Sequence, residues 1–522
     1  MNRIMLTSGQ DKWFRISEET LHILIRILIY SSAFYFFSFV TADPDLWGHI
    51  KFGKDLWANK ALQPVDIYSY TAFGSQWINH EWLSELMMYG VYRVFGSPGL
   101  LIGKLLLGFL IVYLLSNISL HRTWDPLVYA MVFVLSVFVM CPGFMIRPQL
   151  LTFLFTACFL YIFHLFLEKG KNLLWLLPII MVAWVNSHGG FLIGVGVFPV
   201  VVICEYITCR VKKKDTGHLR TMVFWLLLTE IAVFINPYGY HLLGFLFKSL
   251  NVPRNISEWT PITLFDFSYF RFKLLALLFL CTFFIKNRDR RYWEVGIIVV
   301  AMIYAFGHQR HTPIFAIFAA PYVTENLSIL ARKIGMFKKV RTFSGHILLS
   351  TFLFVLICYQ MAFAGYRYIK AEFNIIVDPA EYPVYAVRFL NHNGIKGNIL
   401  VPFEWGEYVI WKLYPDCKVS IDGRFRTVYS EEILKDHFEA ARDVAKLKDL
   451  MNRYPADIIL GRQNRVYQQL ISTPDKWIYV YSDPTAIVFL REDAFQKDIL
   501  VKFRKRALIY PGKDTAPSFY FP

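Results

Sequence analysis

Cysteine is scarce in this sequence, and nearly all of it lies in apolar surroundings. Of the seven cysteines, six lie in or beside apolar stretches and one, Cys417, lies in the polar C-terminal region, which excludes a disulfide framework there. No cysteine or histidine spacing resembles a zinc or haem motif. The C-terminal region also lacks a Gly-rich phosphate loop and a nucleophile elbow, so it gives no sign of P-loop or serine-hydrolase chemistry.

Charge is sparse as well, and apolar residues replace it. Charged residues make up 18% of the chain, whereas 56% is hydrophobic and 18% aromatic, with a mean hydropathy of +0.40. A soluble domain of 522 residues would not need so much apolar surface, so the composition predicts a membrane protein. The net charge of +16 is carried by short basic runs between apolar spans. We interpret these runs as orientation signals and anionic-lipid contacts, and we expect no nucleic-acid partner.

Eleven apolar stretches are long enough to be candidate membrane spans, since about 20 residues cross the hydrocarbon. They lie near 21–40, 98–117, 126–143, 148–167, 172–186, 189–208, 220–236, 270–285, 293–307, 310–327 and 345–365. A short patch at 240–250 could be a re-entrant piece or a twelfth span. Val40-Thr41-Ala42 superficially fits a signal cleavage site, but we interpret 21–40 as a retained helix, because some twenty polar residues precede a long apolar run.

The basic loops fix the expected orientation. A cytoplasmic N-terminus places all of them inside, in agreement with the positive-inside rule. They are the segments around Arg122, Lys169 and Lys171, Arg210 to Arg220, Lys286 to Arg291, and Arg332 to Arg341. The sequence therefore predicts a multi-pass protein of the bacterial inner (cytoplasmic) membrane, with an extracytoplasmic C-terminal region after about residue 366.

Three regions are predicted. Residues 1–20 form a cytoplasmic N-terminus, and 21–366 form a helical transmembrane domain whose long first outer loop, 41–97, carries two amphipathic interfacial helices. Residues 367–522 form an extracytoplasmic α/β domain, in which short strands alternate with helices. The expected strands are Asn398–Val401, Val419–Ile421, Ala456–Leu460, Trp477–Tyr481 and Ala486–Leu490. We find no internal repeat of the kind that inverted-repeat transporters have.

Polar side chains collect on the predicted outer side, where they suggest an enzyme or a transporter. Asp43 and Asp45 directly follow the first span; they could bind a divalent cation, or one could be a general base, or Asp could cap the next helix. His49 follows one turn later, and His80 and Glu81 end the same loop. We predict that these five residues contribute to one site, although Glu81 could equally cap its own helix.

Basic residues on the same side suggest a phosphate. Arg147 and Arg310 can hold phosphate oxygens bidentately, and snorkelling arginines would favour the cytoplasmic side. His188, His308 and His311 accompany them, although His188 could simply bond a carbonyl. A further candidate for substrate binding is Glu258, in an outer loop, where a solvated carboxylate is the alternative.

Several motifs together resemble a known family. They are Asp43 to His49, Asp66 to Thr71, Trp77 to Leu83, Trp184 to Gly190, Asn236 to Gly239, Phe403 to Tyr408 and Ile421 to Arg424. With the long first loop, about eleven spans and the C-terminal α/β domain, the chain resembles the GT-C superfamily of membrane glycosyltransferases, which use polyprenyl-phosphate sugars. The likeness covers most of the chain and is greatest to a group of uncharacterised bacterial GT-C-like membrane proteins.

The resemblance implies that the acid opening the first outer loop is the catalytic base. Asp45, with Lys54-Asp55-Leu56 downstream, matches that position better than Asp43 does. This chain departs from the usual pattern, since it has Asp-Leu where an acidic pair is common. Asn79-His80-Glu81 also occupies the region of the Lys-Pro-Pro signature that several relatives have. The acceptor and the metal use of those relatives are therefore not carried over.

The predicted reaction is transfer of a sugar from a polyprenyl phosphate to an acceptor hydroxyl at the outer face. Asp45 takes the acceptor proton, Arg147 and Arg310 stabilise the leaving phosphate with His188 or His311, and Asp43, His80 and Glu81 orient the acceptor or a cation. Expected partners are the lipid-linked donor, membrane lipids and a glycan, lipid or protein acceptor. The sequence specifies no cofactor with certainty, but a divalent cation, Mg²⁺ or Mn²⁺, could bind Asp43 and Asp45. The alternative is a non-catalytic lipid-linked glycan transporter or an assembly subunit of a cell-envelope polysaccharide system.

Overall fold

The computed structural model describes residues 9–122, 124–250, 257–265, 267–285, 290–336, 343–472, 477–493, 497–510 and 519–522. Parts of two basic segments named above, residues 286–289 and 337–341, lie outside the described residues. By their internal contacts the residues form two compact units. We call Met1–Phe39 with Leu101–Glu372 the helical unit, and Val40–Leu100 with Phe373–Pro522 the mixed unit. The first outer loop, which the sequence analysis placed in the transmembrane domain, thus groups with the C-terminal region.

Helices are numbered in chain order. They are α1 (Gly9–Phe37), α2 (Leu46–Asn59), α3 (Trp82–Leu120), α4 (Pro126–Met140), α5 (Gln149–Lys169), α6 (Leu176–Val185), α7 (Leu192–Lys212), α8 (Gly217–Ala232), α9 (Tyr240–Leu250), α10 (Phe270–Cys281), α11 (Tyr292–Gly307), α12 (Thr312–Ile334), α13 (Phe343–Lys370), α14 (Val384–His392), α15 (Gly406–Leu413), α16 (Glu431–Ala440), α17 (Val444–Arg453), α18 (Arg465–Gln468) and α19 (Lys497–Arg504). Short 3₁₀ turns lie at Cys141–Gly143, Gly189–Phe191, Ser257–Trp259, Thr282–Phe284, Gln309–His311, Phe403–Trp405, Phe425–Thr427 and Gln469–Ser472.

The helical unit is built from apolar helices of membrane-spanning length. Within the described residues, seven helices are long and apolar enough to cross a membrane, and two shorter apolar helices, α6 and α11, accompany them. Helix α12 is the most buried of them and packs against α4, α5, α10 and α11. Large apolar side chains point outward from other helices, for example Ile203 and Ile207 of α7, as expected for surfaces that contact lipid. The chain is therefore a polytopic helical membrane protein; the count of eleven spans stays a prediction.

Local signals explain where several helices begin and end. The Asp125 side chain accepts hydrogen bonds from the amides of Leu127 and Val128 at the start of α4, and Pro126 occupies the first helical position, where its missing N–H costs nothing. Helix α5 ends at Gly170, which adopts φ 65°, a left-handed conformation that closes helices.

Helix α3 is not continuous in its backbone. Gly96 has φ 62° and ψ −156°, and Pro98 follows, so the regular hydrogen bonding breaks there. The sequence analysis treated this stretch as an interfacial helix followed by a separate span from 98. The two predicted pieces are consecutive parts of α3, joined at this break.

A buried charge network ties four segments of the helical unit together. Arg122 follows α3 in the chain. It donates a hydrogen bond of 2.8 Å from Nη2 to Glu294 Oε1 of α11 and forms an ion pair with Glu168 of α5. Arg291 pairs with the same Glu168, at 3.0 Å, and with Glu325 of α12. The Arg122 side chain is 2% exposed and that of Glu294 is 1% exposed. Two residues taken from sequence as loop orientation signals, Arg122 and Arg291, are thus part of a packed ion-pair network.

The mixed unit contains a five-stranded sheet. Its strands are β2 (Gly397–Leu400), β3 (Cys417–Val419), β4 (Ile458–Arg462), β5 (Trp477–Ser482) and β6 (Ala486–Arg491), in the order β3-β2-β4-β6-β5. β3, β2 and β4 are parallel, whereas β6 is antiparallel to β4 and to β5. A separate antiparallel pair joins β1 (Ile376–Val377) to β7 (Phe519–Tyr520). The core between sheet and helices includes Leu400, Leu447, Ile459 and Phe489.

The first loop extends this sheet. The amide of Val419 donates to the carbonyl of Tyr68 at 3.1 Å, and the amide of Tyr70 donates to the carbonyl of Val419 at 3.0 Å. Residues 68–70 therefore cover the outer edge of β3, which would otherwise expose unpaired backbone groups. Helix α2 packs on α15. These contacts make residues 40–100 an integral part of the mixed unit.

Candidate active site

Asp43 and Asp45 lie where the chain enters α2 in the mixed unit. Asp45 occupies the N-cap position, but its side chain makes no capping hydrogen bond. Its own amide instead donates to Asp43 Oδ1 at 3.1 Å. Asp43 is buried and Asp45 is half-buried. Helix capping, the bland alternative for these acids, therefore does not account for the Asp45 carboxylate.

A second carboxyl group lies beside Asp45. The amide of Gly48 donates to Glu407 Oε2 at 3.0 Å, and a Cβ on Gly48 would overlap the Glu407 carboxyl. A Cβ on Gly423 would lie 2.6 Å from Glu407 Oε1 and 2.8 Å from Asp45 Oδ1. Real Cβ atoms do not come this close, so glycine at 48 and 423 lets the two carboxyl groups share one space.

Arg424 is the cation of this region. It holds Asp422 bidentately, with Nε to Oδ1 at 2.8 Å and Nη2 to Oδ2 at 2.7 Å, and its Nη1 lies 2.7 Å from Asp66 Oδ1. Its guanidinium stacks near the rings of Phe52, Tyr68 and Trp77, at 4.9 to 5.3 Å from their centroids. Burial lowers the pKa of Arg424, but Asp422 and its other partners outweigh burial and raise it well above the ordinary value. We call Asp45, Asp66, Glu407, Asp422 and Arg424 the carboxyl cluster.

Burial and negative neighbours favour the neutral form of Glu407. Burial, followed by the negative charges of Asp45 and Asp422, raises the pKa of Glu407 well above its usual range. Arg424 opposes this rise in the pKa but does not cancel it.

His49 sits one turn further along α2. Its Nδ1 atom lies 3.5 Å from Glu85 Oε1 of α3. Glu85 Oε2 in turn accepts a hydrogen bond of 2.6 Å from Asn79 Nδ2. Burial lowers the pKa of His49, but the hydrogen bond to Glu85 and the charges of Glu81, Glu85 and Asp45 give a net rise. His80 Nε2 lies 3.8 Å from Glu81 Oε1 at the start of α3.

We predict that Glu407→Gln makes the protein more stable relative to wild type as pH rises. A group whose folded pKa is raised contributes stability that is fully present below its unfolded pKa and is lost as pH rises through the folded pKa. Gln cannot ionise, and it keeps an acceptor for Gly48. We expect the difference in Tm to grow as pH rises above about 4.3, the ordinary pKa of a glutamate carboxyl, by roughly 2–4 °C for each kcal/mol.

Thermal unfolding in detergent at a series of pH values measures this difference. Glu404→Gln is the matched control, because Glu404 is 53% exposed and pairs with Arg462 on the surface. The stability that His49 contributes also falls as pH rises, because its pKa is raised in the folded state. His49 is present in all three proteins, so its effect cancels in the comparison. A Glu407→Gln curve parallel to the wild-type curve would mean that Glu407 ionises normally in the folded state.

A basic pocket lies at one end of the helical unit. Arg147 precedes α5 and donates from Nη1 to Glu258 Oε1 at 3.0 Å. Arg310 lies with its guanidinium 4.8 Å from the centroid of the Trp259 ring and donates to Gln149 Oε1 at 3.4 Å. A cavity of about 70 Å³ lies between these side chains. Its lining residues are Pro142, Gly143, Met145, Arg147, Gln149, Glu258, Tyr269, Gln309, Arg310, Thr312 and Pro313.

The histidines contact residues that neighbour the lining of this pocket. His308 Nδ1 lies 3.0 Å from the carbonyl oxygen of Trp259, and the His308 and His311 rings pack at 5.2 and 6.1 Å from the Trp259 ring. The amide of Gly190 donates to His188 Nδ1 at 2.9 Å, and Thr152 Oγ1 lies 2.8 Å from the same nitrogen. Thr152 follows Gln149 by one turn of α5, so one helix start positions both Arg310 and His188.

The predicted site residues thus form two groups, one in each unit. The mixed unit holds Asp43, Asp45, His49, His80 and Glu81, and the helical unit holds Arg147, His188, Glu258, His308, Arg310 and His311. Glu407 and Glu85 were not among the predicted site residues, and Ile421 to Arg424 had been named only as a motif of the family resemblance. One sequence signal could have indicated a buried carboxyl here. Gly48 and Gly423 each lie close to an aspartate, in the motifs Asp43 to His49 and Ile421 to Arg424.

The mixed unit also has a cavity of about 140 Å³ at the carboxyl ends of β2 and β4. Phe403, Phe438 and Arg462 are among its lining residues. His437 lines it too, and its Nε2 atom is buried without a hydrogen-bond partner. Burial lowers the pKa of His437 to about 4. Ligands of open α/β sheets bind at this edge, so the cavity is a second place where the mixed unit could hold a small group.

Solved structures of similar fold cover nearly the whole chain. The archaeal oligosaccharyltransferase AglB from Archaeoglobus fulgidus, solved with an inhibitory peptide and a dolichol-phosphate, matches 91% of this chain and 75% of its own, with a TM-score of 0.56 and 11% identity. ArnT from Cupriavidus metallidurans, in the apo state, matches 90% of this chain and 97% of its own, with a TM-score of 0.50 and 11% identity. Both are GT-C membrane glycosyltransferases. This chain shares the fold of these two proteins.

The likeness is one of structure and not of sequence. No protein-family model matches the chain, and no curated protein matches it. The GT-C resemblance inferred from the sequence motifs is confirmed at the level of the fold. At 11% identity the comparison carries no residue roles, so those must be argued from the carboxyl cluster and the basic pocket themselves.

Proposed function

We propose that this protein is a membrane glycosyltransferase that moves a sugar from a polyprenyl-phosphate donor to an acceptor hydroxyl on the extracytoplasmic face. The observation that carries the proposal is the carboxyl cluster at the start of α2. Its acid, Asp45, opens the first outer loop of a chain with the GT-C fold and is not used as a helix cap.

Asp45 is the proposed general base. Such a base must be ionised and reach the proton that it removes. Arg424 engages Asp66 and Asp422, and the pKa of Glu407 is raised well above its usual range, so Asp45 is the acid of the cluster to which we assign the role of base. Asp45 takes the proton of the acceptor hydroxyl while the acceptor oxygen bonds to the anomeric carbon of the sugar. The bond between that carbon and the phosphate oxygen of the donor breaks.

The phosphate is the proposed ligand of Arg147 and Arg310 in the basic pocket. Both guanidinium groups line one cavity together with Gln149, and the rings of His308 and His311 pack on Trp259, the neighbour of Glu258. Arginine suits phosphate because its planar fork donates two parallel hydrogen bonds. In this proposal the carboxylate of Glu258 holds Arg147 in place until the phosphate takes over its hydrogen bond.

A divalent cation at Asp43 and Asp45 is a further part of the proposal. Mg²⁺ binds through one or two carboxylates together with waters and substrate phosphates, and two aspartates could supply the protein share. One Asp43 oxygen already accepts the Asp45 amide. No step above depends on the metal. Inhibition by a chelator that added Mg²⁺ or Mn²⁺ reverses would support it.

The direct test is turnover by the purified full-length chain. It would be incubated with bacterial polyprenyl-phosphate sugars and candidate acceptors, and the release of free polyprenyl phosphate would be measured. Release that requires an acceptor is the expected result. Binding of the lipid without release, in the presence of an acceptor that a known transferase uses, would favour the alternative of a transporter or assembly subunit.

We predict that Arg147→Gln and Arg310→Gln each weaken binding of polyprenyl phosphate by about 10- to 100-fold, because a hydrogen bond to a charged group contributes about 1.5–3 kcal/mol. Competition with a fluorescent lipid phosphate measures the Kd. Arg210→Gln is the control, because Arg210 is an exposed arginine at the end of α7 that packs on Tyr206. Equal losses in all three variants would point to general electrostatic attraction instead of a phosphate site.

A further inference from the structure

Three metal-ligating side chains converge where α7 ends and α8 begins, in the helical unit. Glu205 and Cys209 lie one turn apart on α7, so their side chains emerge on the same face. His218 lies in the first turn of α8. None of the three has a part in the proposed transfer reaction.

The distances fit a single ion. His218 Nε2 lies 3.3 Å from Glu205 Oε1, and Cys209 Sγ lies 3.8 Å from the same oxygen. One ligand atom from each residue lies within 4.8 Å of the others. Zinc bonds of about 2.0–2.3 Å in a tetrahedron hold neighbouring ligand atoms about 3.3–3.6 Å apart, so small side-chain adjustments would seat the ion. Among the described residues, this is the group of three that meets the geometric condition.

The surroundings favour a ligand over a solvated cluster. Cys209 is 1% exposed, and the buried His218 Nε2 atom lies beside the Glu205 carboxylate but makes no hydrogen bond. A metal ion between the two groups would give His218 Nε2 the bond that it lacks. The turn after α7 is held beside Cys209, because the amide of Lys214 donates to the carbonyl of Cys209 at 2.9 Å.

We propose that Glu205, Cys209 and His218 bind one thiophilic divalent transition-metal ion, with zinc as the natural candidate. Thiolate, imidazole and carboxylate are the ligands that zinc takes in proteins, and a three-residue set leaves a fourth position for water or another ligand. Two negative ligands balance the charge of the ion, so it can bind beside the basic residues Arg210 and Lys212 to Lys214. The ion would join α7 to α8. No zinc motif indicates this site in the sequence, because it combines a single cysteine with a glutamate and a histidine.

Cobalt is the probe that tests the proposal. The purified full-length protein would be stripped with a chelator and titrated with Co²⁺ alone. We expect visible bands of tetrahedral cobalt together with a near-ultraviolet thiolate-to-cobalt charge-transfer band. One equivalent of Zn²⁺ should then abolish both sets of bands.

The variants assign the ligands. Cys209→Ser should lose the charge-transfer band, and His218→Gln should weaken binding by more than about 100-fold, since loss of even an outer partner costs about 10- to 100-fold. Cys204→Ser, five positions earlier on α7, is the matched control and should leave the spectrum unchanged. Equal Tm values of the metal-free proteins would show that the variants fold. Absence of the bands in wild type, or an unchanged charge-transfer band in Cys209→Ser, would overturn the proposal.

Discussion

Asp45→Asn should reduce sugar transfer by about 10²- to 10⁴-fold, which is the usual contribution of a general base. Asn keeps the size of the side chain and loses only its charge and basicity. The amide of residue 45 can still donate to Asp43, so the start of α2 should keep its geometry. Release of free polyprenyl phosphate measures the rate, and a lipid-binding assay should give an unchanged Kd.

Two further variants separate a specific base from a general acidic requirement. Asp416→Asn should retain full activity, because Asp416 is 55% exposed in the same unit and pairs only with Lys396 on the surface. Asp43→Asn should lose less activity than Asp45→Asn, because its amide oxygen can still accept the Asp45 N–H. Full turnover by Asp45→Asn would remove Asp45 from the mechanism and would assign the role of base to another group.

Arg424→Gln should destabilise the mixed unit by about 3–5 kcal/mol. This is the usual cost of removing one partner from a buried ion pair, because the remaining charge is left uncompensated. Here two carboxylates, Asp66 and Asp422, would lose their cation, and three aromatic rings would lose the group that they surround. At 2–4 °C per kcal/mol, the unfolding transition should fall by roughly 6–20 °C.

Differential scanning fluorimetry in detergent measures that shift, and two variants calibrate it. Arg424→Lys should lie between wild type and Arg424→Gln, because an ammonium keeps the charge but cannot bind Asp422 bidentately. Lys396→Gln removes one partner of an exposed pair and should cost less than about 1 kcal/mol. If Arg424→Gln and Lys396→Gln shifted the transition equally, Arg424 would contribute no more than a surface charge.

The helices of the helical unit could be predicted because their hydrophobic runs are strong. The run at 126–143 corresponds to α4, and that at 310–327 corresponds to α12, although the helix continues to Ile334. Boundaries were less predictable. Lys169 and Arg332 lie within helices and not in the loops where the basic pattern placed them, since a basic residue in the last turn is compatible with the helix dipole.

Strand positions could also be predicted from β-branched runs, as at 398–401 against β2. Their partners could not. The pairing of residues 68–70 with β3 joins segments about 350 positions apart, and nothing in either segment indicates the register. For this reason the first loop was assigned to the transmembrane domain, whereas its backbone hydrogen bonds group it with the C-terminal region.

The candidate site was predictable only in part, because some of its contacts also join segments that are distant in sequence. Asp45 could be singled out because it directly follows an apolar span. Glu407 could not, because a glutamate inside an amphipathic segment usually faces solvent. Its 4% exposure depends on Gly48 and Gly423, which are distant in sequence and leave the space that the carboxyl occupies. The role of Arg424 could not be predicted, because one of its two acids, Asp66, comes from a distant segment of the chain.

The ion-pair network of Arg122 has a consequence for biogenesis. Glu294 follows Arg122 by 172 residues, so at a synthesis rate of about 5–20 residues per second the arginine is made about 10–30 seconds before this partner. Glu325 is made later still. A copy in which α11 entered the bilayer in the opposite orientation would leave Arg122 beside too few acids and bury Glu294 without a cation. The network is therefore complete only in a chain whose later helices are correctly inserted. A partly inserted chain has unpaired buried charges, which quality-control proteases could recognise.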